Sequence, residues 1–501
     1  MATTNASAPD AGSETDTGHV DPTAPDPKRW RALAVIAIAQ LMVVLDASIV
    51  NIALPRAQAD LHISDVNRGW VITAYTLAFG GLLLLGGRIS DFFGRKRVFI
   101  IGLLGFAFAS ALGGAAPSQA YLFAARGLQG AFAALLAPAA LSLISVTFTQ
   151  PRERARAFGV YGAIAGGGAA LGLIIGGVLT EYTSWRWCLF VNVPIALFAA
   201  FAAVPLVRES AVDAVRRYDI PGTITATLGL VSLVYAFTKA SDPAAGWGAG
   251  ITLALFAASA AMLVAFIVIE SRSDSPLLPM RILENRNRAG SYLTSLLVGL
   301  ALFGMFLFLT FYFQAVLGYS PLKSGFAFLP FSVGIIVSAG MTSQLLPRFG
   351  ARPLMTIGLV MASSGMLWLT QIGIDTAWVT HVLPAEILMS IGMGLVFVPL
   401  SSTALIGVDN RDAGVASALV NTTQQIGGSL GTAVLNTIYL NALTAFVLVN
   451  GNPHDPAALV HGYTTAFRWS AGVLAFAAVL AYSLIQVDKT QLSSHEEAIV
   501  V

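Results

Sequence analysis

Hydrophobic positions in this chain come in long blocks, not in alternation. From Ala32 onward, stretches of about twenty mostly apolar residues recur, separated by short segments that carry the charges. A helix rising about 1.5 Å per residue needs roughly twenty residues to cross about 30 Å of hydrocarbon. Fourteen blocks meet that length, starting near residues 32, 68, 97, 120, 156, 186, 219, 250, 289, 324, 353, 382, 414 and 464. Backbone polar groups in lipid must be satisfied internally, and the blocks lack the two-residue alternation of barrel strands, so the spans are helices. The pattern predicts an all-α polytopic membrane protein with fourteen transmembrane helices.

Composition agrees with the pattern: 56% of the 501 residues are hydrophobic and 11% charged, too much apolar surface for one water-soluble core. Residues 1–27 differ, with five acids and no Lys or Arg before Lys28, which is the wrong pattern for a signal peptide and predicts a disordered cytoplasmic tail. Basic residues gather in alternate connections, around Lys28 to Arg31, Arg88 to Arg97, Arg152 to Arg156, Arg208 to Arg217, Arg272 to Arg288 and Arg348 to Arg352. The positive-inside rule puts those connections, and both termini, in the cytoplasm of a multi-pass plasma (inner) membrane protein. The net charge of +2 then reflects topology, so the bilayer is the partner and nucleic acid is not. A single cysteine, Cys188, excludes an intrachain disulfide and a cysteine-cluster metal site.

An internal repeat organises the spans. "FGRKRVFIIGL" from Phe93 recurs in diluted form as "FGARPLMTIGL" from Phe349, an offset of 349 − 93 = 256. "LLAPAALSLI" around Pro138 pairs with "VFVPLSSTALI" around Pro399, an offset of 399 − 138 = 261. The division this implies is a tail over 1–27, a six-helix half over 28–208, a two-helix insertion over 209–288, a second six-helix half over 289–487, and a tail over 488–501.

These residues resemble a known family. "GRISDFFGRKR", Gly87 to Arg97, is similar to the loop between helices two and three of the major facilitator superfamily, G-x-x-x-D-[RK]-x-G-[RK]-[RK], with Phe92 where a basic residue is usual. "ARGLQGAFAA" resembles that superfamily's fourth-helix motif through Arg126, Gln129 and Gly130. Gly159, Gly168, Gly172, Gly176 and Gly177 have the spacing of its antiporter motif, with Leu173 in the place of the motif proline. "LDASIVNIALP" from Leu45 looks like the first-helix motif of the fourteen-span drug/proton antiporters, with Ser48 in the threonine place. "WVITAYTL" from Trp70 and "FQAVLGYSPLKSGFAFLP" from Phe313 also look like that family. The resemblance implies a major facilitator fold. It further implies proton-coupled efflux of small molecules by alternating access, as in multidrug or antibiotic exporters, from a monomer that needs no cofactor.

The residues themselves point to the chemistry. A charge within a span costs at least a few kcal/mol on insertion scales, so it faces a cavity or a partner and marks a pathway. Asp46 on the first helix and Arg126 on the fourth fall at similar depth in the outer half, and Glu386 on the twelfth falls within one position of Arg126's repeat equivalent. The three are expected to share one central cavity as the proton-coupling set. A structural ion pair is the plain alternative for Asp46 and Arg126, and a wet helix end for Glu386. Gln129 shares the face of Arg126, and "NTTQQIGGSLG" places Asn421 and Gln425 at membrane depth, so these three are candidate cavity residues. Tyr75, Tyr292, Tyr312 and Gln314 join them, although aromatic residues in spans also serve as packing. Asp91, Gly94, Arg95 and Lys96 read as a gating latch, since positive-inside topology explains the bases but not the acid. Gly168, Gly172 and Gly176 form a small-residue stripe, expected as the sliding contact between halves or as ordinary tight packing.

Other classes fail on absences. None of the five lysines follows a glycine, so no phosphate-binding loop ending G-K-[ST] exists, and the six histidines fall in tails, loops or span ends. This is the sequence of a transporter and not of an enzyme or metalloprotein. A central acid among abundant aromatic residues favours amphipathic or cationic organic cargo. A dedicated exporter of one natural product or amino acid, and a non-transporting membrane sensor, remain open.

Overall fold

The computed structural model describes residues 27–487, apart from 149, 210–218, 243, 274–275, 409–412 and 453–454. The expected tails, all but residue 27, lie outside the described residues. Fourteen helical segments are long and apolar enough to cross a membrane: α1 (Arg29–Asp60), α2 (Trp70–Phe93), α3 (Arg95–Gly114), α4 (Gln119–Thr147), α5 (Arg152–Tyr182), α6 (Trp187–Leu206), α7 (Ile220–Ala240), α8 (Gly250–Arg272), α9 (Arg286–Val316), α10 (Pro321–Phe349), α11 (Ala351–Gln371), α12 (Trp378–Leu405), α13 (Gly414–Asn450) and α14 (Pro456–Leu484). Among the described residues there is no β-strand.

Local chemistry sets several of the starts. Ser118, Asp219, Ser320 and Asp455 each accept a backbone N–H in the first turn of α4, α7, α10 and α14, and the last three helices carry proline within their first two positions. The Asp455–Pro456 signal starts α14 eight residues before the expected 464, where polar His461 and Thr464 obscure the apolar block. Pro55, expected at the outer end of α1, lies inside it, and the helix continues to Asp60.

The repeat is visible in the backbone. Gly94 between α2 and α3 has φ 95°, and Gly350 between α10 and α11 has φ 79°, conformations that disfavour any side chain. They stand 350 − 94 = 256 residues apart, the offset of the first sequence match. Within the first half α2 packs on α4, α1 on α5 and α3 on α4; within the second, α9 packs on α13, α11 on α12 and α10 on α12. The insertion sits on the perimeter: α7 packs against α2 and α13, and α8 chiefly against α7. Accordingly α8 buries little besides Thr252, Ser259 and Glu270.

The two halves meet along α2–α13 and again at the bundle end opposite the chain termini, here called the distal end. There Gln314 Nε2 donates to Ile52 O at 3.0 Å, and Leu322 N donates to Glu181 Oε2 at 3.0 Å.

Candidate functional site

Asp46 lies fully buried in α1, and three donors from two other helices converge on its carboxylate. Arg126 Nη1 on α4 reaches Oδ2 at 2.7 Å. Gln129 Nε2, one turn further along α4, reaches Oδ1 at 3.1 Å, and Asn192 Nδ2 on α6 reaches the same oxygen at 2.7 Å. The donors are themselves held. Arg126 Nη1 also donates to Gln129 Oε1 at 2.9 Å, Arg126 Nε to Val71 O at 3.0 Å, and Gln129 Nε2 to Ser110 Oγ at 2.7 Å. The Tyr75 ring lies against the guanidinium, 4.4 Å from centroid to carbon.

Every partner of Asp46 is a donor, which suits an acceptor-only carboxylate. A proton arriving there would have no acceptor until at least one of those bonds broke. The network thus couples the charge on Asp46 to the mutual position of α1, α4 and α6. The sequence reading found Asp46, Arg126, Gln129 and Tyr75 but missed Asn192 and Ser110. Asn192 carried a signal, being an amide inside the apolar run "FVNVPIALF".

Glu386 does not join this set. It is fully buried in α12, which packs on α9, α10 and α11 of its own half, and neither carboxylate oxygen has a hydrogen-bond partner. The repeat puts it at Arg126's depth but on the other half, and depth alone does not bring two helices together.

The remaining cavity candidates scatter. Tyr292 and Tyr312 are buried and spend their hydroxyls on carbonyls of their own half, Ala416 O at 3.2 Å and Gly373 O at 2.8 Å, so in this structure they pin packing. Gln314 joins the halves distally and stands on the wall of a cavity there, as a cavity candidate should. Gln425 packs against Gly80 of α2 near the Thr76–Ser429 hydroxyl contact of 2.7 Å, and Asn421 is exposed one turn below.

The glycine stripe faces differently from expectation. A Cβ at Gly168, Gly172 or Gly176 would strike Val44, Ser48 or Ile49 of α1, so the stripe seats α5 on its own half. The face turned to the other half holds Leu173 and Gly177, which meet Gly325 and Leu322 of α10. In the loop, Arg95 reaches Asp91 at 3.4 Å, while the acid seated on the start of α3 is Glu209. Its two oxygens accept from Lys96 N at 3.1 Å and Arg97 N at 3.3 Å at the start of α3, while Lys96 Nζ donates to Val204 O at 2.6 Å. Gly94 is needed there because a Cβ would meet the Glu209 carboxylate.

With this geometry in view, residues 36–432 match the family described as the Major Facilitator Superfamily. The puromycin resistance protein pur8 of Streptomyces alboniger is 51% identical over 468 residues, 92% of each chain. The cephamycin export protein CmcT of Amycolatopsis lactamdurans is 38% identical over 455 residues, 90% of each chain. A solved structure of a bacterial homologue of the human lysosomal transporter Spinster, inward-facing and unoccupied, superposes with TM-score 0.66 at 15% identity. It covers 94% of this chain and 99% of that one, a likeness of fold alone.

Proposed function

This chain belongs to the major facilitator superfamily and is a small-molecule exporter, not an enzyme, and we propose that inward proton flow through Asp46 drives the export. The observation that carries this reading is the buried carboxylate of Asp46, held by Arg126, Gln129 and Asn192 inside a span. Protonation removes the charge that Arg126 binds and releases α4 and α6 from α1, and deprotonation restores the clasp. Cargo and proton thereby compete for one network, which is what antiport requires.

The termini face the cytoplasm in this reading. Arg29, Arg95, Lys96, Arg286, Arg348 and Arg352 all lie at the terminal end of the bundle, in keeping with the positive-inside rule. The cargo is an amphipathic organic molecule of antibiotic type, carried by a monomer in the plasma membrane. Relatives named for puromycin resistance, cephamycin export and multidrug resistance support an antibiotic or multidrug cargo, with a dedicated exporter of one natural product as the alternative.

The test is pH-gradient-driven uptake into inverted vesicles together with cargo-induced proton release from purified protein. Asp46→Asn is expected to abolish both, with downhill exchange of neutral cargo retained. An Asn variant that concentrates cargo with the wild-type proton dependence leaves Asp46 a structural residue and removes the proposal.

A further inference from the structure

The distal end holds a second buried cation that the Asp46 network does not use. Arg68 lies in the α1–α2 connection and is 1% exposed, although the positive-inside rule disfavours a base on that side. Its partners come chiefly from the other half. Nε donates to Asn436 Oδ1 of α13 at 3.3 Å, and the guanidinium carbon stands 4.3 Å from the Phe311 ring centre and 4.5 Å from that of Tyr439. Asn436 Nδ2 donates back to Asp65 O at 2.9 Å, closing a clasp between the α1–α2 connection and α13. Among the described residues the acid it pairs with, Asp65, is 3.6 Å away with its side chain 45% exposed, and Arg68 Nη2 has no hydrogen-bond partner.

This arginine lies on a cavity wall, and the backbone one turn further along the chain touches the coupling network. A vestibule of about 760 Å³ opens between the halves, with Arg68, Gln314, Tyr439 and Tyr463 on its wall. Val71, three residues beyond Arg68, accepts from Arg126 Nε, and Arg126 holds Asp46. The segment from Arg68 to Val71 therefore joins the vestibule wall to the arginine that holds the carboxylate.

Packing does not require the charge. Phe308, Phe311, Tyr439 and Tyr463 would close around an apolar side chain of the same length, and burying a guanidinium with so weak a counter-charge is costly. A fixed positive charge in a low-dielectric constriction does what rings cannot, because it repels protons and cations, as an arginine does in water-selective pores. We propose that Arg68 is the electrostatic seal of the outward path, whose charge keeps external protons from Asp46 while the distal end is closed. The inference rests on the proton-coupled reading and on the distal end facing outward.

The experiment reads proton entry into proteoliposomes of the full chain holding a pH-sensitive dye, under a potassium–valinomycin clamp and without cargo. Arg68→Met keeps the length and removes the charge, and is expected to raise the leak about tenfold, the factor that about 1.4 kcal/mol of lost barrier gives. Arg68→Lys keeps the charge, and Tyr439→Leu removes aromatic cover and keeps the charge; both are expected to stay within about twofold of wild type by the same conversion. A Met variant as tight as wild type overturns the proposal, and so does a Leu variant that leaks as much as the Met variant, since packing would then be the barrier. If the Met variant does not fold, Arg68→Gln is read in the same way. Cargo-induced proton release by the wild type is recorded in parallel. Its absence would count against proton coupling, whereas the leak comparison reads the seal in either case.

Discussion

Asn192 Nδ2 stands 2.7 Å from Asp46 Oδ1, joining α6 to α1 across 146 residues of sequence. Gln129 reaches the same oxygen from α4 at 3.1 Å, so the amide of Asn192 is the shorter of two bonds to a buried charge. Hydrogen bonds to charged groups are worth about 1.5–3 kcal/mol. Asn192→Leu is therefore expected to lower proton-driven uptake by roughly tenfold or more, at unchanged amounts of membrane-inserted protein. Initial rates in inverted vesicles, normalised to expression, check this. A Leu variant with wild-type rates would make Asn192 a packing residue.

Two glycines of α5, five residues apart, should fail in different ways. A Cβ at Gly172 would clash with Ser48 Oγ and lie 2.9 Å from Leu45 O, inside one half. Gly172→Leu should destabilise the fold, by about 1–3 kcal/mol or more for overpacking, and lower the melting temperature in detergent. A Cβ at Gly177 would meet Leu322 Cα at 2.6 Å, across the halves. Gly177→Leu should keep its melting temperature, lose transport, and leave a cysteine placed at Ala315 on the vestibule wall more reactive to impermeant thiol reagents. Equal thermal losses in the two variants would contradict this division.

How much of this was legible follows from what each signal is made of. Span number, helix type and the two-half repeat rest on block length and on motif offsets, local quantities that survive folding, and Gly94 and Gly350 recur at the expected spacing. The Asp46–Arg126 pair was legible because two rare intramembrane charges at one depth in one half have little else to bind. Depth misled for Glu386, whose azimuth and half are set by which faces α9 to α12 bury against one another. Spacing found the stripe Gly168, Gly172, Gly176 but could not say which helix it approaches, and α1 turned out to be the neighbour. Arg68 went unread because its significance comes from Phe311, Asn436 and Tyr439, more than 240 residues away in the sequence.

In the loop between α2 and α3, Glu209 should matter more to stability than Asp91. Glu209 satisfies two of the orphan N–H groups at the start of α3, whereas Asp91 makes one 3.4 Å contact to a partly exposed Arg95. Removing such a helix-end acceptor costs about 1 kcal/mol, and an exposed ion pair about half of that or less. Thermal unfolding of Glu209→Ala and Asp91→Asn in the same detergent tests the order. The reverse order would make Asp91, not Glu209, the acid that holds this loop.

Glu386 is buried to 0% exposure with both oxygens unpartnered, and among the described residues no hydrogen bond links it to the Asp46 network. A buried polar group without a hydrogen-bond partner is costly, so what Glu386 contributes in this state is an unsatisfied group in the α12 core. Glu386→Gln preserves shape and should leave proton-driven uptake within about twofold of wild type, in contrast to Asp46→Asn. Glu386→Leu removes the unsatisfied group from the α12 core, a group whose burial costs about 1–3 kcal/mol, and should raise the melting temperature. The decisive measurement is the proton dependence of uptake in the Gln variant. If pH-gradient-driven accumulation is lost there while cargo binding persists, Glu386 exchanges a proton in a conformation other than this one, and each half of the repeat carries its own coupling carboxyl.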